Sequence, residues 1–520
     1  MQSFERSRAE RERKRQPSSG LPISSRGERQ EESFHDEEAK KDMVRGDLIS
    51  QPNASQFYTQ VSTETTENAL YLTNYGCDLG SIHVGHKLSL AVPSEYIDGF
   101  VGRAFLMDDG NRVEPKFRVA LSAEANNGKY SCSLEVFLGD FKVWNSGHYS
   151  QFYTTDSCVL ELSEDGDLLL MGPKDRVGWR TGTSGQGVER LQILKTGNLV
   201  LVDALNLVKW QSFNFPTDVI LWGQRLDVST RLTSFPRNLS SFYTFEIRHD
   251  KVALYLNSGK LKYSYWEFRP PENKNVSFVE LDSKGLVLFD DEYNRIIRIP
   301  SRRSVRSQRL RLLALGNETG YLGLYFYSPK TNEFEASFQA INSTCDLPLA
   351  CKPYGICTFS NACSCIQLTT KEKDTDLTRF CDGAQAEMLE LNRVNTVLRD
   401  DAPKRVIVSK TACANLCLDD CKCVAAQYSS DNGAGNSRQC SLYGLVAGIK
   451  QVESGTGVSY MIKVPKGTRY DHRKGSVRKW VLIVVGVVDG LVVILILGGI
   501  SYHLVQKRRQ KLPGSNSNNT

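Results

Sequence analysis

The chain has 520 residues, a formal charge of +6, 14 cysteines and 40% hydrophobic content, so its length implies three or four domains rather than one core. With 24% charged and 9% aromatic residues it has globular proportions, which exclude a collagen-like, mucin-like, wholly disordered or multispanning chain. The positive charge is local: Arg473, Lys474, Arg478 and Lys479 precede one apolar run and Lys507, Arg508, Arg509 and Lys511 follow it, so the rest is near neutral and a phosphate clamp for nucleic acid is excluded.

The first segment, 1–47, carries 11 basic and 11 acidic residues and almost no large apolar ones, a composition that stays disordered. It shows no apolar signal-peptide core. The expectation is an incorrect gene start in place of the export signal; the rival is a charged cytosolic head with the later span acting as signal-anchor. From Phe117 to Leu226 short apolar alternations are broken by Gly, Asn and Asp, the pattern of an all-β sandwich, prism or barrel. Trp144, Trp179 and Trp210 recur in the like contexts KVW, VGW and VKW, 35 and 31 residues apart. Such repeats bury their apolar faces around one shared centre.

The strings Glu164-Asp165-Gly166-Asp167-Leu168, Thr196-Gly197-Asn198-Leu199 and Trp210-Gln211-Ser212-Phe213-Asn214-Phe215-Pro216-Thr217-Asp218 resemble the bulb-type (monocot mannose-binding) lectin domain that heads the ectodomain of plant S-domain receptor-like kinases. The resemblance implies a β-prism over 80–228. Phe242 to Ile247, Tyr265-Trp266 and Gly285 to Leu288 resemble a second, degenerate lectin-like prism over 229–340. Family sugar sites follow Q-x-D-x-N-x-V-x-Y. The first copy here reads Ser163, Asp165, Asp167, Leu169, Met171 and the second Leu194, Thr196, Asn198, Val200, Val202. Both lack the Gln and the Tyr, and stripped of those donors they are poor at satisfying sugar hydroxyls. Asp165, Asp167 and Asn198 remain as carbohydrate-binding candidates, the alternative being turn residues of a structural prism. Within the second prism Arg295, Arg298, Arg302, Arg303, Arg306, Arg309 and Arg311 crowd seventeen residues. Arg309 and Arg311 alternate as on the outer face of a strand. The readings are an anionic-ligand patch, with acidic wall polysaccharide as the ligand, or a solvated strand edge.

Cys345, Cys351, Cys357, Cys363, Cys365 and Cys381 follow C-x5-C-x5-C-x5-C-x-C-x15-C, which resembles an epidermal-growth-factor-like (EGF-like) module over 341–382. The family pairing would be Cys345 with Cys357, Cys351 with Cys363 and Cys365 with Cys381. Cys413, Cys417, Cys421 and Cys423, then Cys440, resemble a PAN/apple domain over 383–466, whose pairs would be Cys413 with Cys440 and Cys417 with Cys423 and whose closing strand would be Ser459 to Val464. Cysteines 413, 417 and 421 are spaced to share a helix face. Cys77, Cys132, Cys158 and Cys421 have no family partner, and Cys381 is an alternative link to the PAN part at the cost of orphaning Cys365. The sequons at Asn53, Asn238, Asn275, Asn317 and Asn342 join the cysteines in placing this part outside the cell.

Val481 to Ile500 is one apolar run with a single charge, long enough to cross the hydrocarbon layer. The transmembrane helix is predicted over 480–505 with a basic cytoplasmic tail at 506–520. Gly486 and Gly490 form a GxxxG, with Asp489 beside it, a stripe for helix–helix assembly. No kinase motif follows the span, no GxSxG or HExxH string is present, and no calcium, zinc or other cofactor set is expected. The resemblance therefore implies a mainly β, kinase-less, single-pass plasma-membrane glycoprotein that is not an enzyme. It would recognise carbohydrate or protein and act through a partner receptor kinase or a homodimer; the alternative is a structural or decoy cell-wall glycoprotein.

Overall fold

The computed structural model describes residues 69–71 and 80–509, apart from 112–114, 235–240, 272–273, 301–310, 367, 370–385, 401–404, 407–408, 431–437, 454–456 and 471–478. The described chain is mainly β, with two α-helices among the described residues, α1 (Lys410–Asp419) and α2 (Lys479–Arg509).

Two prisms share one plan. In the first, the short strands Ser81–His83, His86–Ala91 and Val101–Asp108 enter one after another, followed by three meanders that begin at Phe117–Asn126, Ser157–Leu162 and Val188–Ile193. The incoming strands pair antiparallel with the third, second and first meander in that reverse order. Ala69–Tyr71 adds a parallel edge to Val101–Asp108. In the second prism, Val219–Leu221, Arg225–Asp227 and Arg231–Thr233 enter and pair with the strands Arg311–Leu315, Phe278–Asp282 and Ser241–Arg248, again in reverse order.

The sequence boundary at 228/229 is thereby corrected. Residues 219–228 belong to the second prism, because strands of three residues carry no periodicity of their own and only their pairing assigns them.

Each sheet of the first prism sends one tryptophan to the centre. Trp144, Trp179 and Trp210 meet edge to face at centroid distances of 6.2, 5.9 and 5.8 Å, the geometry aromatic quadrupoles prefer. The Trp144 Nε1–H donates to the Phe215 carbonyl (2.9 Å) and Phe215 stacks on Trp210, so the WQSF…PTD string closes the repeat on itself. Gly197, with φ +81°, lets the third sheet approach: a Cβ there would stand 2.4 Å from the Phe117 ring and 2.7 Å from Leu221. Cys132 is bonded to Cys158 between two sheets of this prism. The second prism has no tryptophan triangle; Tyr243 and Tyr265 meet edge to face instead, and the Tyr265 hydroxyl donates to the Gly320 carbonyl.

The cysteine-rich part is not two separate modules. Cys363–Cys365, Gly355–Cys357, Ile449–Gln451 and Val394–Thr396 form one sheet, so strands from the EGF-like and PAN-like stretches hydrogen-bond side by side. Lys450 adds an ion pair to Asp346 at 2.5 Å. A second sheet orders Ala386–Leu391, Val458–Pro465, Ala425–Ser430, Arg438–Tyr443 and Arg405–Val406, which makes the predicted closing strand a central one. Helix α1 lies against it, capped by Ser409, whose hydroxyl accepts from Ala412 N–H. Cys413–Cys440 and Cys417–Cys423 bolt it down, and Cys345–Cys357 and Cys351–Cys363 staple the smaller stretch.

The helix ends at Asp419, so Cys421 is not on the helix face that Cys413 and Cys417 share. The bond from Cys417 to Cys423 needs the chain to turn back once the helix has ended, and Cys421 stands exposed in that turn. Cys365 is exposed and unpaired among the described residues; Cys381 and Cys77 lie outside the described residues. The buried Lys463 ammonium donates to the carbonyls of Cys417, Leu418 and Asp420, supplying partners and positive charge where the helix leaves its last carbonyls free.

One apolar core runs from Phe245 and Leu254 of the second prism through Leu347 and Ile356 to Tyr443, Tyr460 and Ile462. At the seam the Tyr263 hydroxyl accepts from Gly444 N–H (2.7 Å), and Ser264 and Arg399 exchange backbone hydrogen bonds. Helix α2 contains one stretch long and apolar enough to cross a membrane, Gly486–Lys507.

Candidate functional site

Asp165, Asp167 and Asn198 sit at equivalent turns of different sheets and do not converge. In both turns the residue at Ser163 or Leu194 pairs its backbone N–H with the carbonyl four residues on, at Asp167 or Asn198. The side chains serve those turns. Asp167 is 2% exposed; its Oδ1 accepts from Thr181 Oγ1, Gly182 N and Thr183 N, and its Oδ2 pairs with Arg180 at 2.8 Å. The Asn198 Nδ2 donates to Gln211 Oε1, and its Oδ1 accepts from Ser212 Oγ and Phe213 N. Both side chains are buried and engaged within their own sheets, which leaves them little surface to offer a ring of hydroxyls. Asp165 is exposed and holds the Ser163 and Ser184 hydroxyls, which keep its carboxyl below the usual range. Asp165, Asp167 and Asn198 therefore each brace the turn they stand in, the arrangement that a turn role asks of them.

Another candidate lies in the second prism, on the sheet Arg225–Asp227, Phe278–Asp282, Gly285–Phe289 and Arg295–Pro300. An open groove of about 300 Å³ is lined by Glu280, Asp282, Val287, Phe289, Arg295 and Arg298. Register explains the lining. Val287 faces Glu280 on one side and Arg298 on the other, and Phe289 faces Arg295. The central strand therefore gives an apolar floor, one neighbouring strand an acidic wall and the other a basic wall.

The charges are mostly matched. Arg298 meets Asp282 at 2.5 Å and Arg225 approaches Glu280 at 4.0 Å. Arg225 lies 3.9 Å from the centre of the Phe278 ring and 5.0 Å from that of Tyr293, cation–π contacts that hold its fork in place. Phe278 stacks on Phe289. The groove end is shaped by Asp282, whose Oδ1 accepts from Lys284 N and Gly285 N. A Cβ at Gly285 would stand 2.6 Å from the Ile299 carbonyl, so only glycine lets the strands close there. Arg295 is exposed and forms no ion pair among the described residues, and the Arg298 Nε–H is buried without a hydrogen-bond partner.

Glu280, Asp282, Val287 and Phe289 are not singled out as site residues by the sequence alone, although FVELDSKGLVLFD places two acids two residues apart ahead of a continuous apolar run. Of the arginine run, Arg302, Arg303, Arg306 and Arg309 lie outside the described residues, and Arg311 opens the strand Arg311–Leu315. Of the sequons, Asn275 and Asn342 are exposed and Asn317 half-exposed, while Asn53 and Asn238 lie outside the described residues. Gly486, Asp489 and Gly490 share the exposed surface of α2.

A family model described as D-mannose binding lectin matches residues 143–242. A PAN domain-containing protein of Arabidopsis thaliana is 26% identical, covering 52% of this chain and 57% of its own length. The G-type lectin S-receptor-like serine/threonine-protein kinase SD2-5 of the same plant is 22% identical over 62% of this chain and 40% of the kinase. EP1-like glycoprotein 3, also of Arabidopsis thaliana, is 23% identical over 55% of this chain and 71% of its own length. A monomeric monocot mannose-binding lectin from Gastrodia elata overlays 25% of this chain and 93% of that one, at 21% identity and a TM-score of 0.15. The chain spans about half the length of the first curated relatives it matches.

Proposed function

We propose that this chain, a plant S-domain protein with a bulb-type lectin domain, is a non-catalytic recognition protein of the plasma membrane. Its β-rich part faces outward and binds carbohydrate through the outer face of a prism sheet, and its single span passes the event to a partner receptor or a second copy. The observation that carries this reading is the groove on Phe278–Asp282, Gly285–Phe289 and Arg295–Pro300, where an apolar floor lies between hydrogen-bond acceptors and donors. That is the surface a pyranose needs, with one face of C–H groups and a rim of hydroxyls. The match of residues 143–242, which lie outside the groove, to a D-mannose binding lectin model supports carbohydrate as the ligand class of the fold.

A glycan array probed with the full chain in nanodiscs tests it: binding above background to a defined saccharide set is expected, and silence across the array overturns carbohydrate recognition. A second reading, a wall glycoprotein without signalling, is favoured by the 71% coverage of EP1-like glycoprotein 3.

A further inference from the structure

The two acids of the groove already have arginine partners, Arg298 for Asp282 and Arg225 for Glu280. Among the described residues Arg295 on the same rim is left without an ion pair, and the buried Nε–H of Arg298 without an acceptor. An exposed guanidinium that forms no ion pair among the described residues supplies one half of a charge-assisted, multidentate contact with an anion. The neighbouring floor is apolar, and the opposite wall is acidic. A small inorganic anion would satisfy the arginines but leave the floor and the carboxylates unused. A neutral sugar would use the floor and the carboxylates but leave Arg295 uncompensated.

We propose that the groove takes a uronate-bearing saccharide. This rests on the carbohydrate-binding reading above and names its substrate class. The uronate carboxylate meets the exposed Arg295 guanidinium, the C–H face of the ring lies over Phe289 beside the buried Val287, and hydroxyls donate to Glu280. The walls stand two strand spacings apart, roughly 9.5 Å, which admits a single pyranose lying flat on the floor between them. Asp282, paired with Arg298 and holding the turn at Gly285, closes one end of the groove, so the chain of sugars extends toward Phe289 and Arg295.

The experiment is calorimetric titration of the full detergent-solubilised chain with trigalacturonate and, separately, with neutral galactotriose, at low and raised salt. Trigalacturonate is expected to bind, more weakly as salt screens the contact, and galactotriose at least about tenfold more weakly, as loss of a charge-assisted hydrogen bond implies. Arg295→Ala, at an exposed position that should not disturb folding, should lower trigalacturonate affinity by a similar factor. Arg295→Lys should restore part of it. Equal affinity for the two trisaccharides overturns the uronate proposal and leaves carbohydrate recognition standing. Trigalacturonate binding that is untouched by Arg295→Ala but lost in Arg302→Ala/Arg303→Ala/Arg306→Ala places the anion elsewhere and also overturns it. If neither trisaccharide binds, the uronate proposal fails, and the glycan array decides whether carbohydrate recognition fails with it.

Discussion

At the scale of single residues, a polar side chain at a motif position is informative only through what it is bonded to. Asp167 and Asp282 are both aspartates in Gly-bearing turns between strands, yet one is closed within its own sheet and the other stands on the rim of a groove. For Asp167→Ala the expected effect is therefore on folding. Two backbone N–H groups, a hydroxyl and Arg180 lose their acceptor, which costs about 1–3 kcal/mol. Denaturant unfolding should show a lowered midpoint while saccharide affinity, measured on the folded fraction, stays unchanged; a selective loss of affinity at normal stability would contradict this. The composition around Asp167 was legible from the sequence. Its bonding was not, because Thr181, Gly182 and Thr183 reach it only when the hairpin forms.

At the scale of elements, the strands and helices follow their local patterns closely, and the departures occur where an element is too short to have one. Val219–Leu221, Arg225–Asp227 and Arg231–Thr233 read as the tail of one domain and act as the opening of the next. Helix α1 is set by its Ser409 cap and the buried Cys413 and Cys417, but its end is decided by the bond to Cys423 and by Lys463 from a strand more than forty residues later. Helix α2 needs no such help, because a run as apolar as Gly486–Lys507 meets its environment residue by residue. Its one acid, Asp489, costs about 2.5–3.5 kcal/mol near midspan, and the adjacent Gly486 and Gly490 leave room for another helix. Asp489→Leu together with Gly490→Leu should abolish co-precipitation of a partner receptor from intact membranes; unchanged assembly would remove the span from the signalling proposal.

At the scale of the whole molecule, contiguous cores set the units that fold together. The second prism and the cysteine-rich part share one core, sealed by Tyr263, Gly444 and Tyr443, so they should melt together rather than as three modules. The two prisms meet through His148 of the first, whose Nε2 lies 2.7 Å from the Thr233 carbonyl of the second. Burial lowers the pKa of His148 from its ordinary value, opposed by the charge of Asp218 and the bond to Thr233. A histidine held neutral in the fold takes up its proton more readily when unfolded, so stability falls as pH drops below about 6.5 and through the lower folded value. Calorimetry should then show fewer than four transitions, with a first-prism transition that moves down on acidification and does so less in His148→Asn. Four independent transitions would sink the shared core, and an unchanged acid response in His148→Asn would remove the histidine from the seam.

The sequence alone determined the class of each part of this protein: β-rich repeats marked by Trp144, Trp179 and Trp210, a stapled cysteine-rich stretch, and one apolar span. Those properties are local, since periodicity, cysteine spacing and hydropathy act on neighbours in the chain. Tertiary structure alone decided where one prism ends and the next begins, that the cysteine-rich stretch is fused to the second prism, and that the open groove lies at Glu280, Phe289 and Arg295 rather than at Asp167 and Asn198. Each of these depends on pairing between distant strands, and pairing determines both which side chains share a face and which of their polar atoms are already satisfied.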